Sequence, residues 1–338
     1  MFKEILGHER ERAALRALAA SGRVPPAMIF YGQEGTGKRL AAMEFAAGLN
    51  CTGEPADEGG LFGAAEPAPR EPGRACGKCP SCLQLGKNIH PDCRLVDAAW
   101  QAHLLGEDEE KQRSVKIDTV RELSRSAYSS PILSPWKIFV INDASSMTVE
   151  AQNAILKMLE EPPPDTAFIL IASNRASLLP TILSRCHTVN FRGLARREVA
   201  EVLGREGLEL AEADNLAGLS FGSVKRALDL RAVLEKLSDL NHLDPMAPFR
   251  VADKLGRELA TARETARLIL NILVTRSAAR WRTAEGPEKA SMTRLLDGLF
   301  ELKRCLGRNA SPSITVETAV MECARAGISL RNLERADA

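Results

Sequence analysis

Five short apolar runs of β-forming character punctuate the first two hundred positions: Ala27–Tyr31, Cys93–Val96, Lys137–Ile141, Ala167–Ala172 and Thr188–Phe191. The stretches between them repeat with helical period. In Val149–Glu161, Ala151, Ile155, Met158 and Leu159 fall on one stripe, and Pro162-Pro163-Pro164 stops the helix, because proline has no amide hydrogen and clashes with the preceding turn. Strands apolar on both faces and alternating with helices predict an α/β domain with a parallel sheet covered on both sides.

After Phe191 the β-rich runs end. Arg196–Leu240 reads as short helices broken at Gly218 and Gly222, Asp244-Pro245-Met246-Ala247-Pro248 as a linker, and Thr265–Arg282 and Leu295–Leu306 as amphipathic helices. Boundaries are expected near 192 and 243, which divides the chain into 1–192, 193–242 and 243–338. Two stretches read as surface insertions: Thr52–Arg74, rich in Gly, Pro and Ala, and Gly106–Arg113, whose Glu107-Asp108-Glu109-Glu110 reads as a solvated face.

A chain of 338 residues exceeds what one core serves, which agrees with several domains. The net charge of +1 excludes a global basic field for DNA, and 4% aromatics argue against stacking platforms for single strands. Met1-Phe2-Lys3-Glu4 lacks a signal-peptide pattern and no apolar run is long enough for a membrane span, so a cytoplasmic location and no membrane partner are expected. Eight cysteines in a reducing compartment then read as metal ligands or core residues, not disulfides.

Gly32-Gln33-Glu34-Gly35-Thr36-Gly37-Lys38 follows the first strand and opens the helix Lys38–Ala47. Gly32, Gly35 and Gly37 let backbone amides curl around an anion at a helix N-terminus, and Lys38 can reach the outer phosphates. The plainer alternative is a tight strand-to-helix turn. An active loop next has Ser or Thr to ligate Mg²⁺; here Arg39 offers no oxygen and adds positive charge. Active ATPases of this kind also end the strand Lys137–Ile141 with a magnesium-binding Asp and a water-activating Glu. This chain has Asn142, a poor ligand for a hard cation, and Asp143, one methylene too short. Two independent faults predict that ATP or ADP binds weakly or not at all and is not hydrolysed here.

Cys76, Cys79 and Cys82 stand at two-residue gaps, and Cys51 is the natural fourth ligand of a closed, structural Zn²⁺ site. Cys93 and His90 compete for the fourth place. A redox Cys-x-x-Cys is a rival reading, disfavoured by the third cysteine. Cys305 and Cys323, in helical stretches, are expected to be buried.

The stretches Lys137–Met147, Ala151–Pro163 and Leu178–Cys186, above all Leu159-Glu160-Glu161-Pro162-Pro163 followed by Ser184-Arg185-Cys186, resemble the bacterial clamp-loader AAA+ family. The degenerate loop and strand resemble its delta-prime type, not the ATP-hydrolysing gamma/tau motor. That resemblance implies a RecA-like AAA+ domain with a zinc-binding insertion, a small helical lid and an all-α collar. It implies a five-subunit ring with motor and delta subunits, acting on a sliding clamp and primed DNA. It makes Arg185 an arginine finger acting in trans, Asn174 the position that senses a γ-phosphate and Lys225 the equivalent of a phosphate-sensing lid arginine. A family zinc module lies where these cysteines lie, although its first two ligands are normally closer than Cys51 and Cys76. Cys186 reads as packing. Polymerase chemistry belongs to the complex, since no carboxylate pair here is assignable to nucleotidyl transfer. Two rivals remain, a gamma/tau-like motor and a zinc-dependent nucleic-acid regulator; Glu54, Asp57, Glu58 and Glu66 beside the cysteines oppose the latter.

Overall fold

Burial on both faces explains why the strands Ala27–Tyr31, Lys137–Ile141 and Thr166–Ala172 read as near-continuous apolar runs, whereas His187–Asn190 is partly exposed. The computed structural model describes residues 5–53, 71–109, 112, 114–237, 246–256 and 258–328. It divides into two units, Met1–Leu194 and Ala195–Ala338.

In the first unit, α1 (Glu9–Ser21) precedes β1 (Ala27–Tyr31), which runs through the glycine-rich loop into α2 (Lys38–Asn50). There follow α3 (Pro80–Gly86), β2 (Cys93–Val96), α4 (Ala98–Leu105), α5 (Ile117–Ala127), β3 (Lys137–Ile141), α6 (Val149–Glu160), β4 (Thr166–Ala172), α7 (Pro180–Leu183) and β5 (His187–Asn190). All pairs are parallel, in the order β2-β3-β4-β1-β5. Alternation along β1 sends Met28 and Phe30 into a core with Ala42, Phe45 and Ala46 of α2, and Ala27 and Ile29 into a second core with Ile155 and Met158 of α6. Three strands have the predicted bounds. β4 starts one residue earlier and β5 is shifted one residue, because its pairing with β1 begins at His187 opposite Met28.

The second unit is helical throughout its described residues: α8 (Arg196–Arg205), α9 (Leu210–Ser220), α10 (Val224–Leu237), α11 (Ala247–Asp253), α12 (Leu259–Thr283), α13 (Gly286–Gly307) and α14 (Pro312–Arg325). The predicted break at Gly222 holds: Phe221 and Gly222 both adopt positive φ, at 53° and 82°, and end α9. The predicted break at Gly218 is overturned. Gly218 lies inside α9, and a Cβ there would stand 3.4 Å from the guanidinium of Arg196. Arg196 lies beside it and binds both carboxylate oxygens of Asp214, at 2.9 and 2.6 Å.

Asp244 and Pro245 of the predicted linker lie outside the described residues, as does most of the Thr52–Arg74 insertion. Ala247 and Pro248 form the first turn of α11, where proline's missing amide costs nothing. Cys323 is buried as expected, but Cys305 is half-exposed, its thiol facing Glu301 at 3.8 Å. In the acidic loop, Glu107 is more than a solvated charge: it pairs with Lys116 at 2.5 Å.

Candidate functional site

The carboxyl ends of β1, β3 and β4 bring the loop, Asn142-Asp143 and Ser173-Asn174 to one edge of the sheet, the usual place for a ligand in an open α/β sheet. A cleft of about 380 Å³ opens there, lined by Glu34, Lys38, Asn142, Asp143 and Ser173 among others. Gly32 is sterically required: with φ at 144°, a Cβ would stand 1.9 Å from the carbonyl oxygen of Phe191. Gly32→Ala is therefore expected to lower the melting temperature by roughly 5–10 °C. Gly298→Ala, in open space within α13, is expected to leave it unchanged or raise it. Equal melting of the two variants would refute this account of the turn.

The loop is organised by the chain itself. The imidazole Nε2 of His8 is 2.8 Å from the carbonyl oxygen of Thr36, the Thr36 hydroxyl donates to Gln33 O at 3.0 Å, and Gly32 N donates to Ala172 O at 3.2 Å. Lys38 is buried, and its ammonium donates to the carbonyls of Gly32 and Gln33, each at 2.6 Å. Burial lowers its pKa to about 8, against the opposing pull of Glu34 and Asp143. Arg39 is exposed on the first turn of α2. Asp143 is held in the left-handed region, φ 56°, by the turn that ends β3. Asn174 is exposed, and its Oδ1 accepts from Ala176 N at 2.9 Å, which caps the turn Arg175–Ser177. Lys225 lies exposed at the start of α10, in the second unit.

In Ser184-Arg185-Cys186 the first two residues are exposed and the third is partly buried. Cys186 packs against the core that holds Ile155 and Ile182, and burial pushes its thiol up to about 12. Arg185 faces outward at the C-terminal end of α7. Its Nη2 pairs with Glu160 Oε1 at 2.6 Å, and Nη1 donates to Thr181 O at 3.0 Å and Ser184 Oγ at 3.2 Å. Neither motif signals this pair in the sequence, because Glu160 ends α6 and Arg185 lies in the turn after α7.

Elsewhere in the unit, the structure brings together the thiols of Cys51, Cys76, Cys79 and Cys82, all within 4.8 Å of one another. Cys51 leaves the end of α2, and Cys79 caps α3, accepting from Cys82 N at 3.4 Å. Tetrahedral sulfur at about 2.3 Å from a metal implies S–S edges of about 3.8 Å, and the Cys76–Cys82 separation is 4.0 Å. The cluster fits a metal ion. Burial raises Cys79, but hydrogen bonds from Thr52 and from the amide of Cys82 outweigh it and bring the thiol down to about 6; burial raises Cys82.

The competing ligands are engaged elsewhere. Cys93 is buried in the sheet core, its thiol pushed up to about 12. His90 Nδ1 accepts from Asp92 N at 3.0 Å, so Nε2 carries the proton between Ser81 Oγ at 3.0 Å and Ser134 Oγ at 3.1 Å. The buried Asp92 carboxylate accepts from the amides of Ile132, Leu133 and Ser134, at 2.7, 2.6 and 2.9 Å. This node ties α3 to the loop before β3, a role the His90-Pro91-Asp92 turn does not reveal in sequence.

A phosphate loop leaving β1, in a parallel sheet of this strand order followed by a helical unit, defines an AAA+ P-loop protein. The chain belongs to the family described as DNA polymerase III, delta subunit, which matches residues 7–195. It is similar to the DNA polymerase III subunit delta' of Pseudomonas aeruginosa, 36% identical over 47% of this chain and 41% of that protein. The subunit delta' of Bacillus subtilis is 30% identical over 62% of this chain and 54% of that protein. The subunit gamma/tau of Mycobacterium bovis is 31% identical over 60% of this chain, but the match spans only 31% of that longer protein. Among the described residues no helix is long and apolar enough to cross a membrane.

Proposed function

We propose that this chain is a delta-prime-type, non-motor subunit of the DNA polymerase III clamp loader, whose own cleft is idle and whose Arg185 completes the ATP site of a neighbouring gamma/tau motor. One contrast supports the reading above all: the cleft has neither of the two magnesium-ligand residues, with Arg39 and Asn142 in their places, while a guanidinium stands exposed at the end of α7. Without a hydroxyl at position 39 and a carboxylate at position 142 to fix Mg²⁺, phosphate charge is not neutralised and an attacking water is not aligned. A planar, permanently charged guanidinium needs no pocket of its own to stabilise charge on a phosphoryl group across a subunit boundary.

On this reading Lys38, resting on its own loop carbonyls, is a structural clasp. Asn174 and Lys225 are vestiges of a sensing site. Residues 193–242 act as a lid and 243–338 as a collar that joins a five-subunit ring containing motor and delta subunits. The sliding clamp and primed DNA are met through that complex, in the cytoplasm. The four cysteines hold a structural Zn²⁺, which closes the insertion between α2 and α3 and leaves no open coordination position for chemistry.

The test is ATP turnover with magnesium. The isolated chain is expected to hydrolyse ATP no faster than its Lys38→Ala variant, and that variant is expected to sustain motor hydrolysis within about twofold of the unaltered chain. Brisk turnover by the isolated chain, abolished in Lys38→Ala, would make it a motor subunit instead.

A further inference from the structure

Arg185 does not hang free, and what holds it lies in a second motif. α6 reaches the segment around α7 at two points. Near its start, the buried side chain of Gln152 donates to Ser177 O at 3.1 Å and accepts from Leu179 N at 2.8 Å, which fixes the approach to α7. At its end, Glu160 meets the guanidinium itself. α6 stops at Glu160 because Pro162 and Pro163 follow, so the carboxylate is presented from the last turn of a helix whose other face is locked into the core by Ile155 and Met158. Cys186, packed into that same core, fixes the chain on the far side of Arg185.

From this geometry we infer that Glu160 is a positioning residue for Arg185: it holds the guanidinium in one orientation, ready for a phosphoryl oxygen presented by the adjoining subunit. The inference rests on the trans-acting role proposed for Arg185. An arginine side chain has four flexible torsions, and ordering them at the moment of reaction is an entropic cost that prior restraint removes. Among the described residues, contacts to Glu160, Thr181 and Ser184 occupy at most three of the five guanidinium N–H groups. The others remain for an incoming anion. Glu160 binds through one oxygen to one terminal nitrogen, not as a two-pronged clamp.

The experiment uses the full complex reconstituted with motor subunits, and follows the single-turnover phosphate-release phase that Arg185→Ala removes. Glu160→Gln is expected to slow that phase about 5–20-fold, with the ATP concentration at half-maximal rate changed less than twofold and the melting temperature of the subunit unchanged. Glu160→Asp is expected to recover part of the loss. The double variant Glu160→Gln with Arg185→Ala is expected to match Arg185→Ala alone, since a positioning residue acts only through the group it positions. An unaltered rate in Glu160→Gln, or an added loss in the double variant, overturns the inference while leaving the role of Arg185 intact. A phase that survives Arg185→Ala refutes the trans-acting arginine itself.

Discussion

Replacing Arg185 by Ala is expected to remove one phosphate-release phase from the reconstituted complex, slowing hydrolysis at the motor ATP site that the proposed finger would serve by about 10³-fold or more, the scale of an arginine finger in other NTPases. Total ATPase is expected to fall by that site's share alone. The loss is chemical and not structural: Arg185 is partly exposed, and an exposed ion pair contributes about 1 kcal/mol at most. The variant is therefore expected to melt with the unaltered chain and to enter the complex normally. Arg185→Lys is expected to recover little, because an ammonium is a point charge without the planar fork that spans two phosphoryl oxygens. If Arg185→Ala leaves every phase of phosphate release intact, the active role of this chain at the boundary is lost, whatever the state of its own cleft.

The second large effect concerns the four cysteines. Elemental analysis of the purified chain is expected to find one zinc per molecule, and Cys79→Ser to find none. Cys79 is fully buried and caps α3 with its sulfur, so its replacement removes a ligand and the start of a helix together. Structural zinc sites bind with about 10–16 kcal/mol of apparent free energy in small domains, and that energy is folding energy. Strong chelation or Cys79→Ser is thus expected to lower the melting temperature by about 10 °C or more. Damage should spread from α3 towards the loop before β3, because Ser81, beside Cys82, belongs to the node of His90, Asp92 and Ser134. Ser81→Ala is the control that disturbs the node and keeps the metal. A metal-free chain that melts like the unaltered one would remove zinc from the account.

Local chemistry made much of this protein readable from its sequence. Strand runs, the glycine turn after β1 and the proline stop after α6 each depend on neighbours a few positions away, so their physics is written in adjacent residues. The same holds for Cys76, Cys79 and Cys82, spaced for one turn of chain around a shared point.

Tertiary structure alone decided which residues meet across the sheet. Parallel strands in the order β2-β3-β4-β1-β5 join segments far apart in the chain, and the packing built on that sheet puts Glu160 beside Arg185. It sets Cys51, and neither His90 nor Cys93, among the other three thiols. Gly218 read as a helix breaker, but α9 runs through it with Ala213, Leu216 and Ala217 buried, a packing that no local window reveals. A side chain's partner depends on where its helix is placed, and placement is settled by burying two sheet faces at once, a condition on the whole chain and not on any window of it.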